Sequence, residues 1–286
     1  MDYSQNIQWF PGHMAKARRK IQENLKFVDA IVEIADARIP ESSRNPELGA
    51  IASSKPQILV LNKCDMADPQ MTEKWINHYF SKGLKVIALD CKTGKNLNNF
   101  ASLVKVALRE KIASYKQKGF INKPLRLMVV GIPNVGKSAF INKLLKVHKT
   151  QVENRPGVTR NSQWFAVSKT LEILDTPGVL WPKFDDQEVG KKLAFCGSIK
   201  EAILDAETLA CDLVETLVPH YAPALASRYQ LPCDIFNKKS HEILEQIAIN
   251  RAMFTNGGKT DIYRAAVMLL DEFQSGKLGK ITLDFL

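Results

Sequence analysis

A glycine-rich stretch at residues 131–138 carries the clearest chemistry in the sequence. Its letters, GIPNVGKS, fit the pattern G-x-x-x-x-G-K-[ST] of a phosphate-binding loop. Near-continuous apolar residues at 125–130 predict a buried strand before it, and the spacing of residues 139–145 predicts a helix after it. Backbone N–H groups at such a loop and helix start surround an anionic phosphate. We therefore predict a nucleotide site in which Lys137 approaches the outer phosphates and the Ser138 hydroxyl ligates Mg²⁺.

Two further segments have the chemistry to recognise a guanine base. Asn62-Lys63-Cys64-Asp65 follows a predicted strand and has the form Asn-Lys-x-Asp of a base-recognition loop. The Asp65 carboxylate can accept hydrogen bonds from N1–H and the 2-amino group of guanine, and adenine offers no matching pair. Because a buried carboxylate left unpaired is costly, we expect about 10⁴-fold discrimination against adenine. Asp90-Cys91-Lys92 follows the next predicted strand, where a second base-contacting loop should lie.

Two segments after the phosphate-binding loop supply the remaining parts of a GTPase site. Asp175 begins the tetrad Asp-Thr-Pro-Gly and has the position of a magnesium-binding carboxylate, while the Gly178 backbone N–H can meet the γ-phosphate. Thr159 lies in a polar loop and can close over Mg²⁺ when the γ-phosphate is present. Val179 stands where many GTPases carry a glutamine that orients the attacking water. Hydrolysis is therefore expected to be slow unless another group positions the water.

The pattern of apolar residues predicts an α/β domain followed by a smaller all-α domain. Beyond residue 182 the strand pattern stops, and amphipathic helices are predicted at 206–217, 240–253 and 262–273. Before it, strands alternate with helices, which indicates a six-stranded, mostly parallel sheet with ligands at the carboxyl ends of its strands. The predicted strands are 28–35, 57–61, 85–89, 125–130, 163–167 and 171–174, and the longest predicted helix is 96–118. We predict three parts, which are a basic amino-terminal extension at 1–27, a GTPase domain at 28–180 and a helical domain at 181–286.

Composition indicates an ordinary soluble chain whose first part is basic. No apolar run approaches the about 18–20 residues needed to span a membrane, and the polar start differs from a signal peptide. Five scattered cysteines without Cys-x-x-Cys pairs favour reduced thiols in a cytoplasm. Residues 1–180 carry a net charge of +13, and residues 181–286 carry −3. A basic surface of this kind points to nucleic acid, and the alternative is a positive surface that only keeps the protein soluble.

The motifs stand in a permuted order. In the common GTPase arrangement the phosphate-binding loop comes first, whereas here the base-recognition segments 62–65 and 90–92 precede it. The same sheet is kept if the old ends are joined and the chain opens after the Asp-x-x-Gly strand. With this order, and with WFPGHM at 9–14 and DARIP at 36–40, nearly the whole chain resembles the circularly permuted GTPases, most closely the bacterial ribosome biogenesis GTPase A family. One departure is Asp90-Cys91-Lys92, where GTPases favour Ser-Ala-Lys; because backbone usually makes that contact, guanine selectivity is little affected.

The resemblance implies an enzyme that hydrolyses GTP to GDP and phosphate, slowly alone and faster on the ribosomal particle. Its implied role is late assembly of the large ribosomal subunit, where it binds ribosomal RNA and ribosomal proteins of the subunit precursor, with the helical domain as an RNA-binding element. We expect a cytoplasmic monomer with no membrane partner. The expected nucleotide contacts are Asn62, Lys63, Asp65, Asp90, Cys91, Lys92, Asn134, Val135, Gly136, Lys137, Ser138, Ala139, Thr159 and Gly178, and the expected Mg²⁺ ligands are Ser138, Thr159 and Asp175.

The resemblance also points to two candidates for the missing water-positioning group. His13 is proposed for this role in the family, and the alternative is a turn histidine packed beside Trp9. Asn134 matches the asparagine that helps to hold K⁺ beside the phosphates in related GTPases, and the alternative is a loop residue that shapes the turn. His13 would act together with Lys137, Thr159 and Gly178 as the catalytic set.

Two other functions stay open at this point. One is a GTP-dependent signalling switch whose partner is another protein. The other is a nucleotide-powered RNA-modifying enzyme, for which residues 181–286 show no catalytic cluster in the sequence. Salt dependence separates the first from an RNA-bound factor, because contacts to RNA phosphates weaken steeply with salt and an apolar protein interface does not.

Overall fold

The computed structural model describes residue 19 and residues 21–51, 54–120, 123–147, 163–176, 186–199 and 205–286. Its centre is a six-stranded sheet made of β1 (Ala30–Asp36), β2 (Gln57–Asn62), β3 (Lys85–Ala88), β4 (Leu125–Val130), β5 (Gln163–Ser168) and β6 (Leu171–Asp175). The strand order is β3-β2-β1-β4-β6-β5, and every neighbouring pair is parallel except β5 with β6. The prediction of a six-stranded, mostly parallel sheet is confirmed.

The strand before the phosphate-binding loop, β4, lies at the centre of the sheet between β1 and β6. The register pairs Asp36 of β1 with Asn62 of β2, and Val129 of β4 with Asp175 of β6. Because these strands are parallel, the segments that follow them leave at one edge of the sheet, which we call the carboxyl edge. All the nucleotide motifs predicted after these strands therefore begin at the same edge.

Helices cover both faces of the sheet and give it two apolar layers. They are α1 (Pro46–Ile51), α2 (Pro69–Ser81), α3 (Leu97–Ala107), α4 (Arg109–Gln117) and α5 (Lys137–Val147). Phe100 of α3 and Phe140 of α5 meet edge-to-face on one side, with ring centroids 5.0 Å apart. Trp75 and Tyr79 of α2 pack in the other layer. Alternate residues of β2 enter opposite layers, as the two-residue period of a strand requires, with Ile58 and Val60 in the first and Leu59 and Leu61 in the second.

A helical region follows the sheet in the sequence. It contains α6 (Gln187–Phe195), α7 (Ala206–Tyr229), α8 (Ser240–Asn250) and α9 (Ile262–Gln274). The apolar stripe of α9 is buried against α7 and α8, and the core of these helices is continuous with the α3 and α5 layer of the sheet. The predicted order, an α/β domain and then helices, is confirmed. Among the described residues, none of the helices combines the length and the apolar character needed to cross a membrane.

Two predicted helices differ in extent from the observed ones, and one observed helix is not predicted. The predicted helix 96–118 is broken at Leu108, whose φ of −109° and ψ of 20° separate α3 from α4. The predicted helix 206–217 continues past Pro219 and Pro223 to Tyr229, with a kink at Tyr221. Proline in a helix interior removes a backbone donor and forces such a kink. The short helix α6 was not predicted.

The chain segment after α9 returns to the sheet and lies along its carboxyl edge. The Ile281 N–H donates to the Met66 carbonyl oxygen at 2.9 Å, and the Leu283 N–H donates to the Arg38 carbonyl oxygen at 2.7 Å. Met66 follows β2 and Arg38 follows β1. The segment therefore joins the helical region to the loops that leave the nucleotide edge of the sheet.

Candidate nucleotide-binding site

Two glycines of the phosphate-binding loop occupy positions that no larger residue fits. A Cβ atom on Gly131 would lie 2.5 Å from the carbonyl oxygen of Ile34. A Cβ atom on Gly136, whose φ is +98°, would lie 2.3 Å from Nδ2 of Asn62. The loop is thus pressed against β1 and against the base-recognition segment. It leads directly into α5, which begins at Lys137 and points the N–H groups of its first turn toward this edge.

Asn62 holds three of the predicted nucleotide segments together. Its side-chain Nδ2 donates to the Val135 carbonyl oxygen at 2.8 Å, and its Oδ1 accepts from the Cys91 N–H at 3.2 Å. Asn62 itself is buried. Both ends of its amide are therefore bonded to protein, so Asn62 is placed to position the phosphate-binding loop against the two base loops.

Asp65 carries a buried oxygen that lacks a hydrogen-bond partner. Its Oδ1 is inaccessible to solvent and receives no hydrogen bond from the described part of the chain. Buried polar atoms in folded proteins are nearly always satisfied, so an orphaned carboxylate oxygen calls for a donor from outside the described residues. The two N–H donors on one edge of a guanine base have the right chemistry to supply it.

The departure at Asp90-Cys91-Lys92 has a local structural cause. Burial would raise the pKa of Asp90, but hydrogen bonds from Thr93 and Lys92 outweigh it and hold the pKa below its ordinary value. The backbone N–H of Lys92 donates to Asp90 Oδ1 at 2.7 Å. The Cys91 side chain packs in the apolar core, and burial raises the pKa of its thiol to about 12. Asp90 thus shapes the turn, and the Cys91 side chain faces the core while its N–H bonds to Asn62.

Asp175 and Lys137 form the charged part of the site at the end of β6. Asp175 Oδ1 is the second buried oxygen that has no hydrogen-bond partner within the described ranges. Burial raises the pKa of Asp175 and lowers the pKa of Lys137 to about 8, and in each case the charge of the other residue opposes the shift. Lys137 Nζ donates to the Ile132 carbonyl oxygen at 2.8 Å. With the Ser138 hydroxyl in the first turn of α5, this donor set fits Mg²⁺, which prefers oxygen ligands.

Asn134 connects the phosphate-binding loop to the helical region. Its φ is +62°, and its Nδ2 donates to the Gly197 carbonyl oxygen at 2.6 Å. Gly197 follows the last turn of α6. With its nitrogen held in this way, the carboxamide keeps its oxygen as an acceptor. Asn134 therefore shapes the loop and also contacts the helical region.

The remaining predicted residues divide into two groups. Val135 is buried in the core, and Ala139 lies in the first turn of α5. His13, Thr159 and Gly178 lie outside the described residues. Their assigned roles stay predictions.

A buried ion-pair network behind the base loop was not assigned a role from the sequence. Arg38 pairs with Asp36 through Nη2 at 2.8 Å, and Lys63 Nζ lies 2.9 Å from the same carboxylate oxygen. Burial would raise the pKa of Asp36, but the Arg38 guanidinium and the Lys63 ammonium hold it well below its usual range. The segment DARIP marked this position as part of the resemblance, yet its contact with Lys63 joins residues far apart in sequence.

Comparison with known proteins agrees with this geometry. Residues 126–246 match a family described as 50S ribosome-binding GTPase. The chain is 44% identical over 281 residues to ribosome biogenesis GTPase A of Bacillus cereus, a match that covers 97% of this chain and 93% of that protein. It is 35% identical over 304 residues to mitochondrial ribosome-associated GTPase 1 of Mus musculus, covering 97% and 90%.

Solved structures give the same result for the fold. GDP-bound TM YlqF superposes with a TM-score of 0.66 at 27% identity, covering 93% of this chain and 98% of that one. GNP-bound YlqF from T. maritima gives a TM-score of 0.62 at 26% identity, covering 94% and 97%. The permuted motif order, the sheet that gathers the motifs at one edge and the identity along nearly the full length lead to one conclusion. The chain is a GTPase that belongs to the ribosome biogenesis GTPase A family.

Proposed function

We propose that this GTPase is an assembly factor that binds ribosomal RNA and acts in late maturation of the large ribosomal subunit. The observation that carries the nucleotide chemistry is the pair of buried oxygens without hydrogen-bond partners in the described chain, Asp65 Oδ1 and Asp175 Oδ1. Asp65 follows β2 and Asp175 is the last residue of β6, and both strands end at the carboxyl edge beside the phosphate-binding loop. The ribosomal part of the proposal is supported by the names of the relatives, which describe ribosome biogenesis or association with ribosomes.

Guanine selection is assigned to Asp65, supported by the segments around it. Asp65 accepts from N1–H and the 2-amino group of the base, and the backbone at 90–92 contacts the base from a second side. Asn62 acts by positioning, since its amide already bonds to Val135 and Cys91. Lys63 is held by Asp36, which keeps its long side chain at the carboxyl edge.

The phosphates are assigned to the loop 134–139 and to a magnesium ion. Ser138, Thr159 and Asp175 would hold Mg²⁺, which neutralises charge on the β- and γ-phosphates when bound. Burial lowers the pKa of Lys137 to about 8, and the negative charge of an incoming triphosphate would favour its ammonium form. The Gly178 N–H and Thr159 complete the contacts to the γ-phosphate.

Water positioning is assigned to His13 or to K⁺ held at Asn134, because Val179 cannot orient water. The carboxamide oxygen of Asn134 is available for a cation while its nitrogen bonds to Gly197. Either group would act fully only on the ribosomal particle. We therefore propose slow turnover by the free protein, stimulation by the particle, and action as a cytoplasmic monomer.

Sedimentation with large-subunit precursor particles tests this proposal. The protein, loaded with GDP or with a non-hydrolysable GTP analogue, is centrifuged with the particles at low and high salt. We expect co-sedimentation that depends on the nucleotide and falls steeply with salt, because contacts to RNA phosphates release counterions. Binding that is unchanged by salt would favour the alternative, a GTP-dependent switch that contacts a protein partner.

A further inference from the structure

A cleft opens at the edge of the sheet opposite the nucleotide segments. Residues that begin or precede β1, β2 and β3 lie there, together with the junction of α3 and α4. The cleft has a volume of about 620 Å³. Its lining includes Lys55, Lys85, Val106, Arg109, Glu110 and Lys111, and we call this surface the amino-edge cleft.

The positive charge of the chain is concentrated in the segment that forms this cleft. Residues 82–126 contain 11 Lys and Arg but only 2 Asp and Glu, a net charge of +9 in a chain whose total is +10. Two of these residues, Lys92 and Lys95, belong to the carboxyl edge, and most of the others lie on α3, α4 and the segments beside them. The rest of the chain sums to a net charge of +1, because its basic amino-terminal extension is offset by acidic residues elsewhere.

The two acidic residues in the lining, Asp29 and Glu110, offset only half of its four cations, which leaves a net charge of +2. Asp29 accepts hydrogen bonds from the Tyr115 hydroxyl and from the Arg126 N–H, each at 2.9 Å. Lys111 Nζ lies 3.4 Å from the same carboxylate. Asp29 is thus a half-buried, internally satisfied group. Arg109 on the rim is exposed and has no ion pair within the described ranges, so its guanidinium can meet a phosphate.

Aromatic residues stand among the lysines beside the cleft. Phe120 is 49% exposed, and Lys123 Nζ lies 4.6 Å from its ring centroid. The same ammonium lies 4.5 Å from the ring of Tyr115, whose hydroxyl bonds to Asp29 in the cleft. A positive surface that only aided solubility would gain nothing from an exposed aromatic ring. A ring next to cations is the arrangement on which unpaired bases stack in proteins that bind single-stranded nucleic acid.

We propose that the amino-edge cleft binds the phosphate backbone of a single-stranded RNA segment, with Phe120 stacked on one of its bases. The proposal rests on the proposed function, namely that this GTPase binds RNA. The cleft is separated from the nucleotide by the length of the sheet, which for the seven residues of β1 is about 23 Å. RNA and nucleotide therefore bind at the same time. The ring among cations favours RNA over an acidic protein segment, which has no bases to stack.

The test compares two matched triple variants of the full chain. Lys85→Gln, Arg109→Gln and Lys111→Gln neutralise the cleft, whereas Lys259→Gln, Lys277→Gln and Lys280→Gln neutralise exposed lysines of the helical region. Affinity for a labelled single-stranded RNA of about 20 nucleotides is measured across a range of salt concentrations. The cleft variant should bind at least about 10-fold more weakly at low salt, and its slope of log affinity against log salt should be shallower by about 2. The control variant should match the parent, and GTP affinity should be unchanged in both.

Phe120→Ala gives a second, different signature. Loss of a stacking ring should weaken RNA binding by about 10-fold at every salt concentration and leave the slope unchanged. The cleft variant could instead lose as much affinity for an acidic peptide of the same charge as for RNA, while Phe120→Ala has no effect on either. That result would assign the cleft to a protein partner and overturn the proposal. If the cleft variant has the same slope of log affinity against log salt as the parent, the cleft does not bind the RNA backbone. RNA binding at another surface would then remain possible under the proposed function. If the parent binds neither RNA nor ribosomal particles, the proposed function is wrong as well.

Discussion

Arg38 donates a hydrogen bond from Nη1 to the carbonyl oxygen of Phe273 at 3.1 Å, although 235 residues separate them. It also donates to the Gln274 carbonyl oxygen at 3.3 Å. These oxygens lie at the carboxyl end of α9, where a cation is favourable. The same guanidinium pairs with Asp36, which also accepts the Lys63 ammonium. One buried side chain thus joins the end of the helical region to the base-recognition loop.

Removing this charge should destabilise the fold strongly. Arg38→Met leaves the Asp36 carboxylate buried with one cation in place of two, so the free energy of unfolding should fall by about 3–5 kcal/mol. The control is Arg19→Met, which breaks a pair with Glu23 at 2.9 Å in which the two side chains are 82% and 50% exposed. That variant should lose less than about 1 kcal/mol. Urea denaturation measures both, and equal losses would contradict a special role for the buried pair.

The stability that Asp36 contributes should depend on pH in a defined direction. Burial would raise the pKa of Asp36, but Arg38 and Lys63 hold it well below its usual range. A carboxyl with a lowered pKa stabilises the fold above its unfolded value of about 4 and loses that contribution as the pH falls further. The stability difference between the parent and Asp36→Asn should therefore be constant from about pH 7 to pH 5 and narrow below about pH 4. Urea denaturation at each pH tests this, and a difference that widens on acidification would be the wrong sign.

The nucleotide segments could be predicted from the sequence because each depends on a local pattern. A strand followed by a glycine loop and a helix start is encoded within about 20 residues, and parallel strands bring such loops to one edge. Gly131 and Gly136 of the phosphate-binding loop also cannot be replaced by larger residues, because Ile34 and Asn62 leave no space for a side chain. These constraints act within one strand and its neighbours.

Contacts between distant segments could not be predicted in this way. The bond from Asn134 to Gly197 and the bond from Arg38 to Phe273 depend on how the helices dock on the sheet, which no local pattern encodes. Tertiary packing also overrode local propensity in α7, where the predicted helix ends at residue 217 and the observed one continues through a kink at Tyr221.

Asp65→Asn should change the base that the site selects. Asp65 Oδ1 is buried without a hydrogen-bond partner in the described chain, and a guanine base has donors that match it. An amide presents a donor where xanthine has a carbonyl, so preference should move toward xanthosine nucleotides and GTP affinity should fall by roughly 10³-fold or more. Competition against labelled GDP measures this.

The matched control for the base is Asp68→Asn, three residues further on. Asp68 caps α2 by accepting from the Gln70 and Met71 N–H groups, and asparagine caps nearly as well. Its base preference and affinity should equal those of the parent. If the parent protein binds ATP as tightly as GTP, guanine recognition by Asp65 is wrong.

The last prediction concerns the water-positioning group. Without a glutamine after Gly178, the free protein should hydrolyse GTP on the order of 10⁻³ s⁻¹ or below, and ribosomal particles should accelerate it. If His13 orients the water, His13→Ala should lower stimulated turnover by roughly 10²-fold. GTP affinity should hardly change, because the contact matters only near the transition state.

The competing assignment gives K⁺ at Asn134 the same task. It predicts that replacing K⁺ with Na⁺ abolishes stimulated turnover even when His13 is present. It also predicts that Asn134→Ala has the same stimulated turnover in both salts. Asn134 also donates to Gly197, so Asn134→Ala removes a contact with the helical region as well as the proposed K⁺ ligand. The experiment must separate these two effects. Stimulated turnover of the parent, His13→Ala and Asn134→Ala is therefore measured in each salt, with GTP affinity as the control. If His13→Ala keeps full stimulated turnover in K⁺, His13 does not position the water and is only a turn residue. Equal turnover of the parent in K⁺ and Na⁺ would rule out the assignment to K⁺. A bound K⁺ that supplies charge to the reaction should lower turnover when it is replaced by Na⁺.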